Sequence, residues 1–184
     1  MRFTIIKENF TDKGIVIDFV KSLLGASVKI EELNNYFIIY HSYDNVNEIE
    51  SSLNTLSTEL VFNLYMYNSQ NHIDNKINEE ISLALELLAD LPVGCYNFKT
   101  ALLRSNQINN KKRYLNYIIA SSGVDETFIK GFIECDLNVS RASKILYIHR
   151  NTMLYKLDKL KEISGFDLRC FLDSYIVYNL IENK

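Results

Sequence analysis

Arg150, Asn151, Thr152, Tyr155, Lys156 and Lys159 crowd into one short stretch of this chain. Arginine and lysine donate charge-assisted hydrogen bonds to phosphate oxygens or to O6 and N7 of guanine. Asparagine pairs with the N6 and N7 edge of adenine, and threonine can serve either surface. Just upstream, Ser140, Arg141 and Lys144 offer a hydroxyl and two cations suited to a phosphate backbone, and His149 stands at the junction. Between Val139 and Lys161 six basic residues face one acid, Asp158, a local net charge of +5. The whole chain carries −3, which leaves −8 for the remainder. A basic island in an acidic chain is the footprint of one element that approaches a polyanion while the rest stays soluble.

Helical periodicity supplies the elements that must hold these residues. Residues 126–135 read as a helix with Phe128, Phe132 and Ile133 on one side, broken by Asp136-Leu137-Asn138. Ser140 is expected to cap a second helix reaching about Leu146 and burying Ala142, Ile145 and Leu146. After Tyr147-Ile148-His149, a third helix spans about 150–163, with Met153, Leu154, Leu157, Leu160 and Ile163 as its core stripe and Ser164-Gly165 as its stop. That stripe turns Asn151, Thr152, Tyr155, Lys156 and Lys159 outward. Two short helices joined by a tight turn lay the second in a major groove, which is wide enough to admit one. His149 is read as positioning the start of that helix. Tyr155 is suited equally to packing on the second helix and to reaching DNA.

The stretch 137–157, with Leu146-Tyr147-Ile148-His149-Arg150-Asn151-Thr152 followed by Met153-Leu154-Tyr155-Lys156-Leu157, resembles the C-terminal helix-turn-helix of the PucR/CdaR family of bacterial regulators, which is related to the DNA-binding end of Fis-like proteins. Two positions depart from the family pattern: Met153 replaces a leucine and Lys156 an arginine. Lysine gives up bidentate recognition, which shifts Lys156 towards phosphate contact. Ile163 to Leu168 and a last helix over 170–181 resemble the family's closing segments. The resemblance implies a sequence-specific, double-stranded-DNA-binding transcription regulator of the cytoplasm, acting as a homodimer and not as an enzyme.

The first hundred residues alternate between strand-like and helix-like stretches: strand 2–6, helix 11–24 stopped by Gly25, a hairpin of 27–31 and 36–40 turned at Asn34-Asn35, helix to about Leu56 from Asp44 or Asn45, and strand 59–67. A helix over 75–88 ends before Pro92 and Gly94, and 96–104 reads as either strand or helix. The expected fold is α+β: a small mixed sheet with flanking helices over 1–108, then an all-α unit over 109–184. The N-terminal order bears a likeness to the degenerate cyclase-like domain that some of these regulators carry. The hairpin turn has Asn34-Asn35 and no Gly-Gly-Asp/Glu-Glu-Phe motif, so cyclase activity is not expected.

With 47% hydrophobic and 23% charged residues over 184 positions, the chain falls among ordinary globular proteins. No apolar run approaches the roughly 20 residues needed to cross a bilayer, and Lys7 and Glu8 stand where a signal peptide would be apolar. Cys95, Cys135 and Cys170 have no metal-ligand spacing and read as small buried residues. His41 and His72 lack a partner named by spacing, and Ser51-Ser52 and Ser121-Ser122 lack a nucleophile-elbow pattern, so no catalytic residue, cofactor or metal is expected. The N-terminal unit could sense a small-molecule effector or hold a dimer together. The helices near Leu85 and Tyr175 are candidate dimer surfaces. A protein-interaction module built on the same three helices is the competing reading.

Overall fold

The computed structural model describes residues 1–7, 12–25, 28–69, 76–105 and 108–181. They divide into two compact units, Met1–Gln107 and Ile108–Lys184. The first is α+β and the second helical.

In the first unit the order is β1 (Arg2–Lys7), α1 (Lys13–Leu24), β2 (Lys29–Leu33), β3 (Tyr36–His41), α2 (Val46–Glu59), β4 (Tyr65–Asn68), α3 (Ile77–Asp90), β5 (Gly94–Tyr96) and α4 (Phe98–Arg104). The strands form one sheet in the order β2-β3-β1-β4-β5. It is mixed, because β4 and β5 run parallel while the other pairs are antiparallel. β1 is central, and its four inner residues, Phe3 to Ile6, are all buried. Burial of consecutive residues means both faces are covered. On one face Ile6, Ile39 and Met66 pack with Val16 and Val20 of α1 and Ile49, Leu53 and Leu56 of α2. On the other, Phe3 stacks on Tyr67 with ring centroids 5.9 Å apart, and the Tyr67 hydroxyl donates to Glu80 of α3 at 2.5 Å.

A buried polar chain braces the sheet. The Thr4 hydroxyl of β1 donates to Asn68 Oδ1 in β4 at 2.7 Å and lies 3.1 Å from His41 Nε2 in β3. With its proton so placed, Thr4 accepts from His41, which assigns this histidine a structural task. His72 lies outside the described residues, as do the first residues of the expected stretches beginning at 11, 27 and 75.

At the hairpin, Asn34 takes φ +54°, the left-handed conformation that asparagine tolerates. Asp12 caps α1 by accepting from the Ile15 N–H at 3.2 Å, and Gly25 at φ +102° ends it. The strand expected over 59–67 is shorter. α2 runs on to Glu59, burying Leu53, Leu56 and Ser57 at helical spacing, and the chain then turns at Val61, φ +54°. Leu60, Val61 and Phe62 have strand-like side chains but serve as a connection. The stretch 96–104 splits: Tyr96 ends β5, and α4 opens with a capping box in which Asn97 and Thr100 satisfy one another's N–H groups.

The second unit comprises α5 (Lys111–Ile119), α6 (Glu126–Ile133), α7 (Val139–Ile145), α8 (Arg150–Ser164) and α9 (Phe171–Ile181). Its core holds Tyr114, Leu115 and Ile118 of α5, Phe128, Ile129 and Phe132 of α6, and Ile176, Val177 and Leu180 of α9, with Phe166 and Leu168 from the preceding loop. Among the cysteines only Cys135 is buried; Cys95 is half-buried, and Cys170 is exposed at the boundary of α9, where its backbone is used by the turn rather than its side chain by the core. Burial pushes the Cys95 thiol up to about 12, which keeps it protonated. Among the described residues no helix is long and apolar enough to cross a membrane, and no group of three His, Cys, Asp or Glu side chains could hold a metal.

Candidate nucleic-acid interface

Each helix of the α6-α7-α8 segment is opened by a side chain. Asp125 accepts from the Phe128 N–H at 2.8 Å. Asn138 accepts from the Arg141 N–H at 3.0 Å, so the cap of α7 is Asn138 and not Ser140. Asn138 has the extended backbone a cap requires, whereas Ser140 already lies in the first turn, its hydroxyl on an exposed residue. His149 caps α8 through Nδ1, which accepts from the Asn151 N–H at 3.2 Å and must therefore be the unprotonated ring nitrogen. Three non-glycine residues take left-handed φ at the two turns: Asp136 at +58° and Leu137 at +59° between α6 and α7, and Tyr147 at +52° between α7 and α8.

Met153, Leu157 and Leu160 are fully buried and fix the inward stripe of α8. At about 100° per residue, Tyr155 lies nearly opposite this stripe and Asn151 close beside it. Arg150, Asn151, Thr152 and Tyr155 are exposed, with Tyr155 at 64% of its full accessible area; it does not pack on α7. Lys159 is half-buried one turn further along. Lys156 is held within the domain: its ammonium donates to the Gly123 carbonyl and sits 5.5 Å from the centroid of the Phe128 ring. On α7, Ser140, Arg141 and Lys144 are exposed, and Arg141 pairs with Asp136 at 2.6 Å. Ile145, expected in the core, is 54% exposed, because the packed face of this two-turn helix is made by Ala142 and Ser143.

Acids are absent from the exposed first half of α8 and mix with Lys159 and Lys161 in the rest. Its second half carries exposed Asp158 and Glu162. An ion-pair network gathers there: Arg169 lies 2.8 Å from Asp158 and 2.7 Å from Asp167, and Lys161 3.1 Å from Asp167. The Arg169 hydrogen bonds hold the Asp167 carboxyl down at about 2 against a partial opposing effect of burial. Sequence reading missed Arg169, which answers the one acid of the basic island. It also missed Tyr147, 96% exposed at the turn into α8. A further omission is Gly131 of α6, which lies against Leu146; a glycine inside an otherwise apolar helix was the available signal.

Residues 127–178 match the family model described as the PucR C-terminal helix-turn-helix domain. The chain is 28% identical over 129 residues to the DNA-binding transcriptional activator AdeR of Bacillus subtilis (strain 168), a match that covers 61% of this chain and 30% of that protein. A second protein of the same organism, the uncharacterized protein YxkF, is 40% identical over 50 residues, 27% of this chain and 17% of its own. The chain thus spans less than a third of the length of the curated relatives it matches. Among solved structures, the regulator of polyketide synthase expression from Bifidobacterium adolescentis shares the fold over 98% of this chain and 78% of that one, with a TM-score of 0.50 and 14% identity.

Proposed function

We propose that this chain, whose residues 127–178 match the PucR helix-turn-helix domain, belongs to a transcription regulator that binds double-stranded DNA by placing the first half of α8 in the major groove. The observation that carries this reading is the outward presentation of Arg150, Asn151, Thr152 and Tyr155 on a helix whose rotation is set by Met153, Leu157 and Leu160. Arg150 contacts phosphate or guanine, Asn151 reads adenine, and Ser140, Arg141, Lys144 and Lys159 contact the backbone. His149 acts as the cap that fixes the helix start. The likeness to a DNA-binding activator supports a regulatory rather than an enzymatic role; in this reading the role is exercised in the cytoplasm.

One such helix reads only a few base pairs, and a pair of half-sites about 34 Å apart calls for a homodimer. Exposed Phe171, Leu172 and Tyr175 favour α9 as its face over the helix of half-buried Leu85. An effector role for the first unit draws support from a groove of about 980 Å³ lined by Lys29, Glu31, Tyr40, His41, Asp44 and Asn78, a convergence of polar groups that the sequence did not show.

The test is fluorescence anisotropy against DNA from upstream of the chain's own gene and against random genomic fragments, across a salt series. Binding that weakens log-linearly with salt, and that Arg150→Ala/Asn151→Ala abolishes, is the expected result. Equal or absent binding by both proteins on all fragments would put the protein-interaction reading first.

A further inference from the structure

Lys156 belongs by its charge to the basic island, yet its surroundings are those of a strut. At about 100° per residue it lies some 60° from the buried stripe of α8, on the flank that turns towards α6. Its ammonium donates to the carbonyl of Gly123, 33 residues earlier in the chain, and lies over the ring of Phe128 at 5.5 Å. Gly123 is presented rigidly. It stands at φ +74° in the turn between α5 and α6, where buried Ser122 donates to the Ile119 carbonyl at 2.6 Å and accepts from the Val124 N–H at 3.2 Å. Phe128 is itself buried in the first turn of α6, three residues past the Asp125 cap. One ammonium therefore ties the middle of α8 to both the turn that leads into α6 and the ring beneath it.

We infer that Lys156 is a positioning residue: it sets the rotation of α8 against α6, and so the direction in which Asn151 and Tyr155 project, and it neutralises no phosphate. A carbonyl oxygen and a π face take the place of the water or phosphate that an outward lysine would meet. The side chain would have to release both to reach DNA. This inference rests on the DNA-binding reading for its consequence, but its geometry can be tested without DNA.

The experiment compares Lys156→Met and Lys156→Arg with the wild-type full chain in thermal unfolding and in the anisotropy salt series, with Lys144→Ala, a backbone contact in this reading, as control. Methionine keeps the apolar stem and removes the donor and the charge. Arginine keeps a donor and a cation for the ring. Lys156→Met is expected to lower Tm by about 2–4 °C and to weaken DNA binding by a similar factor at every salt concentration, with the slope of log K against log salt unchanged. Lys156→Arg should restore both Tm and affinity. Lys144→Ala should reduce the slope by about 0.9, the value of one phosphate contact, without moving Tm. A slope reduced by about 0.9 in Lys156→Met, or an unmoved Tm, overturns the inference. Absence of DNA binding by the wild type sinks the proposed function instead, and the Tm pattern of the two variants then decides the positioning role alone.

Discussion

Leu146 lies so close to Gly131 that a Cβ on the glycine would stand 2.5 Å from Leu146 Cδ2 and 3.1 Å from its Cγ. The end of α7 is thus seated where any side chain on α6 would oblige Leu146 to shift. Gly131→Val should cost about 1–3 kcal/mol, since overpacking outweighs the small gain in helix propensity. The urea midpoint measures this. An unchanged midpoint would show that Leu146 swings aside freely and does not set the seating of α7.

The His149 cap predicts a graded series. His149→Ala leaves the first turn of α8 one acceptor short and should destabilise by about 1 kcal/mol, while His149→Asn, which supplies another side-chain acceptor, should recover most of it. DNA affinity should follow the same order, because the capped turn carries Asn151 and Thr152. Loss of affinity in both variants at unaltered stability would instead make the imidazole a direct DNA contact.

Burial lowers the pKa of His41 below its ordinary 6.5, against a smaller opposing effect from the Tyr43 backbone. The unfolded chain then takes up a proton that the folded one refuses, so stability falls as pH drops below about 6.5. His41→Gln retains a donor for Thr4 and removes the titration. Denaturation midpoints between pH 7 and 5 should decline less in the variant; equal slopes would mean that another group governs this range.

Asp167 acts lower on the pH scale, with the same sign. Its carboxyl is held at about 2, from an ordinary 3.8, first by the hydrogen bonds from Arg169. Its contribution is complete above about 4 and disappears as pH falls towards 2. Solvent screening limits the effect to under about 1 kcal/mol. Asp167→Asn should flatten acid unfolding in that window, and a variant with the same acid limb as wild type would discount the network.

The helix-turn-helix was legible because its residues recur at fixed spacing: apolar Met153, Leu157 and Leu160 define one side, and everything polar is placed by subtraction. The same arithmetic located the Asn34 turn and Gly25 stop in the first unit. Where it misled, the deciding information lay in a neighbouring element. Lys156 looked like its fellow cations until Gly123 and Phe128 were brought beside it. Ile145 looked like Ala142 until the width of the α7 contact was known. Leu60 to Phe62 carry strand-forming side chains, but the buried side of α2 was still being completed at Leu56 and Ser57, and the turn had to wait for it.

The sheet described above has borders of a particular kind. β2, at one border, presents Lys29, Glu31 and Glu32 among its five residues, and β5, at the other, is three residues long. A second chain adding there as a further strand would either set like charges side by side or find almost nothing to pair with. Self-association by strand addition, the route by which open sheets grow into aggregates, is disfavoured at both borders.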